Sequence, residues 1–368
     1  MITTVLLFLA VLFVLVLVHE WGHYITAKKT GMRVDEFGIG FPPRLFGVKR
    51  GETEYTLNAL PLGGFVRIYG ESLVHDEAEE HDPDKARALW ARPKWAQALV
   101  LVAGVVMNVL LAFVLYTAVF MIGVPTPILE SEARSGAELY IASVVPESPL
   151  AGVVMPGSVV TAVVAQDGSV LTDLTPSAFS TFVGTHGAKP LLLSIREGGE
   201  EREVSVTPQT GLITDAPERP AVGVALSLVI IERQGLLTAL GSAGRATVEG
   251  LSAIVVGIGA LLGGAVTGTA DLSQVAGPVG IAGMVGDAAA FGMTALLSFV
   301  AIISLNLAVV NMLPFPALDG GRLLLLLGEV VFRRPVSALW TYRLNAAGFI
   351  LLMIFMVIVT YNDILRLF

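Results

Sequence analysis

The chain contains no cysteine. A disulfide framework and a thiolate metal site are therefore both excluded, because each needs cysteine sulfur. A metal site in this chain must be built from histidine and carboxylate ligands. The absence of cysteine is compatible with an extracytoplasmic domain but does not establish one.

Charged residues are also scarce, since they make up 15% of the 368 residues whereas 54% are hydrophobic. A soluble protein carries about a quarter charged residues. Together with several long uncharged runs, this composition predicts a polytopic α-helical membrane protein that sits in a lipid bilayer. The net charge of −8 argues against nucleic acid as a partner. The first residues lack a basic segment and a small-residue cleavage site, which favours a retained first span over a removed signal peptide.

Ionisable residues interrupt the end of the first apolar run. Val5 to Val18 carries no polar side chain, and His19, Glu20 and His23 then follow with H-E-x-x-H spacing. On a helix, positions i and i+4 share one face, so both imidazoles can reach one metal ion while Glu20 acts beside it as a general base. A lone histidine on an apolar face is usually structural. Two histidines and a glutamate in lipid have no easy partner other than a metal, so the motif predicts a zinc site.

Four transmembrane helices are predicted, from about residue 2 to 27, 95 to 124, 294 to 312 and 344 to 360. The basic loop after the first span places that side in the cytoplasm by the positive-inside rule. Both termini then lie outside the cytoplasm. The chain is predicted to divide into residues 1–124, 125–227, 228–290 and 291–368.

The segment 235–268 is the ambiguous one, because it includes an uncharged run at 251–266. If this segment crossed the membrane, the acidic motif at the end of the third span would lie on the opposite side from the histidines. We therefore expect an interfacial amphipathic helix here. A re-entrant segment with turn-forming residues at 277–280 is expected to lead back into the membrane.

The region 125–227 has the composition of a soluble domain that begins with Pro125 and Pro127. Its β-rich runs and one possible helix predict a compact α+β domain of fewer than about 100 residues. The predicted strands lie at 140–145, 157–164, 190–196 and 203–208, and the possible helix lies at 177–183.

A second apolar segment with turn signals lies on the cytoplasmic side, from Glu54 to Ile68. Aromatic and β-branched residues flank Pro61 and a glycine pair, which predicts strand, turn and strand. Two interpretations stay open. The segment is either a small cytoplasmic hairpin or a hairpin that dips toward the metal and offers its free edge to an extended peptide.

The third predicted span ends in the motif N-M-L-P-F-P-A-L-D-G-G, from Asn311 to Gly321. Its two prolines break helical hydrogen bonding, and Asp319 falls near the cytoplasmic end of the span, at the depth of His23. A carboxylate is a suitable third zinc ligand and leaves the fourth position for water. Asp319 could instead cap the following helix. The histidine pair at matching depth favours the role of ligand.

These motifs together resemble the site-2 protease family and, within it, the bacterial proteases that regulate sigma-E. The resemblance covers nearly the whole chain and rests on H-E-x-x-H, on Asn311-x-x-Pro314-x-Pro316-x-x-Asp319-Gly320, and on a piece at 145–160 that resembles a PDZ domain. The chain departs from the family's motif in the second span. Proline usually follows the glycine of that motif, whereas Val105 follows Gly104 here.

The resemblance implies an intramembrane zinc metalloprotease. Its substrates would be single-span membrane proteins such as anti-sigma factors, already shortened by a first protease. His19, His23 and Asp319 are expected to bind Zn²⁺, and Glu20 is expected to activate water. Other residues are expected to contact the substrate strand, and these are Asn306, Asn311, Leu62, Gly63, Gly64 and Phe65.

The resemblance also implies a place in the cell. The protein is expected in the bacterial cytoplasmic (inner) membrane, in stress-response signalling, with its PDZ-like domain outside the cytoplasm as a size filter or as a contact for the substrate's ectodomain or C-terminus. The alternative is a non-enzymatic membrane adaptor or metal-binding scaffold that presents a PDZ domain. Such a scaffold would not need Glu20, so the complete motif favours the enzyme.

Overall fold

The computed structural model describes residues 2–71, 84–213, 216–269, 275–334 and 336–366, except for the side chains of residues 61, 62, 266 and 338. The chain forms two compact units. The first consists of residues 1–117, 240–287 and 297–368, and the second consists of residues 118–239 and 288–296.

Eight α-helices occur in the described part of the chain. They are α1 (Ile2–Lys29), α2 (Lys94–Ile122), α3 (Pro176–His186), α4 (Leu236–Thr267), α5 (Pro278–Ala290), α6 (Met293–Met312), α7 (Asp319–Phe332) and α8 (Ala338–Leu365).

Five of these helices, α1, α2, α4, α6 and α8, are long and apolar enough to cross a membrane. Twenty residues of α-helix rise about 30 Å, which is the thickness of the hydrocarbon core of a bilayer. The prediction of a multi-pass helical membrane protein is confirmed. The segment expected to lie at the interface forms α4, a helix of 32 residues. Its length and composition also suit a crossing, so the count of four spans stays a prediction.

The first unit contains a β-sheet formed by two long, bent strands, β1 (Val34–Arg50) and β2 (Thr53–Ile68). The first half of β1 pairs with residues 64–68 on one side and with residues 54–57 on the other, while residues 44–50 pair with 53–58. The result is a mixed sheet of four segments, in which residues 36–39 and 54–57 run parallel and the two outer pairs run antiparallel. Residues 63–68, which we call the edge segment, form one border, and residues 44–50 form the other.

The predicted hairpin at 54–68 is wrong in its pairing, because residues 54–57 and 64–68 pair with opposite sides of β1 and not with each other. The prediction of a plain basic loop before it is wrong, because residues 34–50 form β1. Pro42, Pro43 and three glycines in β1 hide the alternation by which a strand is recognised. The sheet packs on α1 through aromatic rings, with the Tyr24 and Phe37 ring centroids 5.3 Å apart.

An ion-pair network holds the turn between β1 and β2. Glu52 contacts Lys28 Nζ at 2.5 Å and accepts a hydrogen bond from Arg87 Nη2 at 2.9 Å. The Arg87 guanidinium, together with Lys28, lowers the pKa of Glu52 to about 2. The turn of the sheet is thereby attached to the basic end of α1, just beyond the H-E-x-x-H motif.

The second unit is built around an antiparallel sheet of six strands in the order β3-β8-β4-β5-β6-β7. Its core includes Leu139, Leu193 and Ile195 from two strands, and Phe179 and Val183 from α3. The strands are β3 (Val124–Ile128), β4 (Glu138–Val144), β5 (Val159–Ala165), β6 (Leu191–Glu197), β7 (Glu200–Val206) and β8 (Val224–Glu232).

The strands and the helix expected between residues 140 and 208 lie close to their predicted positions. The predicted domain end at residue 227 is wrong, because it cuts β8, which lies between β3 and β4 in the sheet. Pro125 and Pro127, expected at the start of the domain, lie in β3. This strand is a border strand, where the N–H that proline lacks is not needed.

Candidate metal centre

The final third of α1 carries the H-E-x-x-H motif on one continuous helix. His19 and His23 are polar residues on a mostly apolar helix, and both are buried, with exposed fractions of 7% and 8%. Their ring centroids lie 4.8 Å apart, as expected for positions one turn apart on a helical face. Both imidazoles point into the packed interior of the first unit, where an unpartnered polar group is costly.

Asp319 joins the two histidines from the other end of the sequence. The stretch after α6 is kept out of helical conformation by Pro314 and Pro316, and α7 starts at Asp319 itself. The backbone N–H of Ala317, a residue with φ of 73°, donates to Asn345 Oδ1 at 3.2 Å. Asp319 therefore belongs to the first turn of α7. The sequence had suggested the end of the preceding span instead.

The three side chains present their ligand atoms to one point. Asp319 Oδ2 lies 3.1 Å from His19 Nε2 and 3.3 Å from His23 Nε2, and the two Nε2 atoms are 3.1 Å apart. A tetrahedral zinc with bonds of 2.0–2.1 Å separates its ligands by about 3.3 Å. The spacing of the three atoms therefore suits a zinc ion, and the ligand types are those of a zinc peptidase.

The second nitrogen of His23 is held by the backbone of α2. His23 Nδ1 lies 2.8 Å from the carbonyl oxygen of Val100. A carbonyl can only accept, so Nδ1 carries the proton and Nε2 keeps its lone pair for a metal.

Asn108 provides an independent test of the fit to a metal. Its amide nitrogen lies 3.2 Å from His19 Nδ1, while its Oδ1 is buried and has no hydrogen-bond partner among the described residues. A His19 that binds metal through Nε2 must donate from Nδ1. A half-turn of the amide brings Oδ1 to that proton and pairs the orphaned oxygen. The metal-binding tautomer therefore resolves the unsatisfied atom.

The close approach of α2 to the two imidazoles depends on Gly104. A Cβ atom at this position would overlap the Nε2 atoms of both His19 and His23. Glycine at 104 and asparagine at 108 lie one turn apart on the helix face that covers the histidines. Ser304 Oγ on α6 donates to the Asn108 carbonyl oxygen at 2.7 Å and ties a third helix to this face.

Glu20 lies beside the three candidate ligands and is not part of their cluster. It lines a cavity of about 180 Å³ together with His19, His23 and Asp319. The cavity is much larger than the space that one water molecule needs. The edge segment forms another wall of the cavity, through Phe65 and neighbouring residues.

The residues predicted to contact substrate are only partly brought together. Gly63, Gly64 and Phe65 lie in the edge segment, and Asn311 Nδ2 lies 3.5 Å from His19 Nε2. Asn306 donates to the Ile302 carbonyl oxygen of its own helix at 3.0 Å. The side chain of Leu62 lies outside the described part of the structure.

Sequence reasoning missed two contributors to the site. Neither Asn108 nor Gly104 was expected to contact the histidines. The signal was present in their spacing, because a glycine and an asparagine four residues apart share one helical face. What the sequence did not indicate was which neighbouring helix that face would contact.

Comparison with known proteins places the chain in a defined group. Residues 7–355 match the family described as Peptidase family M50. A Clostridium perfringens protein, whose name provisionally describes it as a zinc metalloprotease, is 35% identical over 353 residues, or 95% of each chain. The zinc metalloprotease RasP of Geobacillus kaustophilus is 28% identical over 446 aligned positions, covering 99% of this chain and 98% of the relative. The regulator of sigma-W protease RasP of Bacillus subtilis is also 28% identical, covering 100% and 99%.

We expect Gly104→Ala to lower bound zinc by at least about 10-fold, because the added methyl group displaces the ring nitrogens of the histidines. Zinc content of the purified protein, measured by elemental analysis, checks this. Gly257→Ala on α4 is the matched control, since nothing lies within 4 Å of a Cβ there. Equal zinc content in the two variants would contradict the described packing of α2 on the histidines.

Proposed function

Because the chain belongs to peptidase family M50 and is a zinc metalloprotease of the site-2 type, we propose that it cleaves single-span membrane proteins within the bilayer. The observation that carries the proposal is the meeting of Asp319 with His19 and His23 beside Glu20, on a helix α1 that is suited to a membrane. Anti-sigma factors shortened by a first protease are the proposed substrates. The name of the Bacillus subtilis relative, regulator of sigma-W protease RasP, supports this substrate class.

His19, His23 and Asp319 are the proposed zinc ligands, and Glu20 is the proposed general base. Zinc, when bound, supplies Lewis acidity toward a water molecule and a peptide carbonyl. Glu20 accepts a proton from the attacking water and passes it to the leaving amine nitrogen. Its place on the cavity wall next to the ligand cluster supports this assignment. Asn108 and the Val100 carbonyl hold the two imidazoles in the tautomer that leaves Nε2 free.

The edge segment is proposed to hold the substrate in extended form. A transmembrane helix hides its peptide bonds in internal hydrogen bonds, and unwinding it in lipid leaves polar groups unsatisfied. Pairing with a free strand edge replaces those bonds. The edge segment is a border of its sheet, and Phe65 lines the cavity that contains Glu20. A substrate strand on this border would lie beside the proposed metal. Asn311, close to His19, is proposed to contact the same strand, and Asn306 is proposed to do so further along α6.

A membrane adaptor or metal-binding scaffold is the competing function. It would use the PDZ-like domain for contacts and the metal for structure. Such a scaffold has no need for a carboxylate that lines the cavity without joining the ligand cluster. Glu20 does this, which favours the enzyme.

The proposed topology has four crossings, with α4 at the interface. Val100 of α2 contacts His23 and Asn108 contacts His19, so α1 and α2 run antiparallel. The segment before α5 donates from Gly277 N–H to Asp363 near the end of α8, and Gly286 packs on Thr4 near the start of α1.

These contacts support an even number of crossings between α2 and α5. After α2 the chain is back on the side where α1 begins, and α5 lies on that same side. In the described residues α4 is the one candidate span between α2 and α5. If α4 crossed the membrane, the chain would have to cross back as extended backbone, and lipid does not tolerate the unpaired polar groups of such a segment. The basic loop after α1 then assigns the α1 start, the end of α8 and the second unit to the outside of the bacterial cytoplasmic membrane.

The second unit is proposed to be a PDZ domain that contacts the substrate's ectodomain or C-terminus. A groove of about 310 Å³ lies between α3 and the start of β8, lined by Phe179, Val183 and Leu226 among others. β3 pairs with residues 228–232 of β8 only, so the border of β8 at 224–227 is not covered by β3. An apolar extended segment fits such a groove by adding a strand. The domain would also exclude substrates with bulky ectodomains.

Glu20→Gln is the central test of the enzyme. With a single-span model substrate in reconstituted membranes, we expect cleavage to fall by about 100- to 10,000-fold, because no group remains to take the proton from water. Zinc content should stay unchanged, since Glu20 is not in the ligand cluster. Cleavage at the wild-type rate with zinc still bound would rule out the proposed mechanism.

The edge segment can be tested by photocrosslinking in the inactive Glu20→Gln background. A Phe65→benzoylphenylalanine variant is expected to crosslink the substrate. The same probe at Leu45 is the control, because Leu45 is 67% exposed on the opposite border of the sheet. Crosslinking from Leu45 alone would assign the substrate to the other border.

The topology can be tested with single cysteines, since the chain has none of its own. In intact cells, we expect an impermeant thiol reagent to label Gly198→Cys in the exposed β6–β7 turn. Gly51→Cys, in the exposed turn between β1 and β2, should be labelled only after the cytoplasmic side is opened. Protection of Gly198→Cys in the folded protein would overturn the proposed orientation.

A further inference from the structure

An ion pair between Arg322 and Glu71 faces the cavity. Neither residue is a proposed metal ligand or the proposed base. Arg322 lies three residues after Asp319, on the same face of the first turn of α7. Its Nη1 bonds to Glu71 Oε1, and its Nη2 donates to the Glu71 carbonyl oxygen at 3.4 Å. Both side chains are mostly buried, with exposed fractions of 27% and 26%.

Glu71 is held to the end of the edge segment by two hydrogen bonds. The Ile68 N–H donates to Glu71 Oε2 at 3.1 Å, and the Glu71 N–H donates to the Ile68 carbonyl oxygen at 3.0 Å. Ile68 is the last residue of β2. The carboxylate of Glu71 therefore uses one oxygen for the strand end and the other for the guanidinium.

The pair connects two parts of the site that are distant in sequence. Glu71, Arg322 and Asp319 all line the cavity that contains Glu20. On one side of the pair is the strand border proposed to hold the substrate. On the other side is the helix whose first residue completes the metal cluster. Any shift of the edge segment relative to Asp319 must break or stretch this contact.

The chemistry of the contact favours a fixed geometry. A guanidinium offers several N–H donors in a rigid plane, and here it reaches both a carboxylate oxygen and a carbonyl oxygen of the same residue. Lysine carries the same charge on a flexible stem and cannot reproduce two-point contact. Removal of one partner leaves the other charge buried without compensation.

We propose that the Glu71–Arg322 pair is a latch that positions the edge segment against Asp319, so that a peptide bond held on the edge lies at the metal cluster. Arg322 is a positioning residue in this view, because it acts through Glu71 and α7. The inference rests on the proposed function for its effect on cleavage. Its effect on the geometry of Asp319 can be measured without a substrate.

The chain offers a matched control on the same helix. Lys94 Nζ at the start of α2 contacts Glu329 Oε2 near the end of α7 at 2.6 Å. This pair also attaches α7 to another element, but neither residue lines the cavity. Its loss tests whether any ion pair that holds α7 has the same effect.

The experiment compares Arg322→Lys and Glu71→Gln with Lys94→Gln in the full-length protein. The Co²⁺-substituted protein is read by its visible absorption, which reports the ligand geometry, and the zinc protein is assayed for kcat and KM. We expect both latch variants to shift the Co²⁺ spectrum and to lower kcat about 100-fold, as for a misplacement of about 1 Å. Lys94→Gln should leave the Co²⁺ spectrum unchanged and kcat within about 2-fold of the wild-type value.

The double variant with Glu71→Arg and Arg322→Glu exchanges the two charges and tests the latch even when the single variants fold poorly. We expect each single reversal to abolish cleavage and the double reversal to recover at least about 10-fold over either one, because only it restores opposite charges. A wild-type Co²⁺ spectrum and kcat in Arg322→Lys, or an equal loss in Lys94→Gln, would overturn the latch. A spectral shift in Arg322→Lys together with undiminished cleavage by Glu20→Gln would instead refute the proposed function and leave the latch standing.

Discussion

The structure depends on one electrostatic constraint: two imidazoles and a carboxylate meet at a largely buried place, where solvent satisfies them only in part. Their ligand atoms lie 3.1–3.3 Å apart in an apolar interior. An unpaired charge there would be very costly, whereas a divalent cation compensates all three groups at once. The surroundings follow from this requirement. Gly104 lets α2 reach the rings, Asn108 and the Val100 carbonyl fix the tautomers, and the proline-rich turn aims α7 at the histidines.

The meeting of His19, His23 and Asp319 was predictable because its signals are local and additive. The i, i+4 spacing of His19 and His23 defines a helical face, and a single aspartate at equal depth in a later apolar segment is hard to explain otherwise. The role of Asn108 was not predictable. An amide in an apolar helix must bond to a neighbour, but its own sequence does not say to which helix. Arg322 is similar, since its partner Glu71 lies 251 residues away.

The two misread strands show a different limit. β1 contains prolines and glycines that mask its period, and its conformation comes from pairing with β2 on both sides. β8 lies inside its sheet, between β3 and β4, and its continuous apolar run does not alternate in the way that a half-exposed strand does. In both cases long-range pairing determines the structure. These strands matter for the proposed function, because one creates the sheet whose border faces the cavity and the other forms the groove of the second unit.

The separation of the ligands along the chain has a consequence for biosynthesis. His19 and Asp319 are 300 residues apart, so two of the proposed ligands and their hydrogen-bond partners on α2 are made long before the third. A site with two ligands binds metal weakly and lacks the geometry of the finished centre. A protease with the proposed ligand set is therefore inert until Asp319 has been made. Helices α2, α4 and α6 precede Asp319 in the chain and are synthesised before that centre is complete.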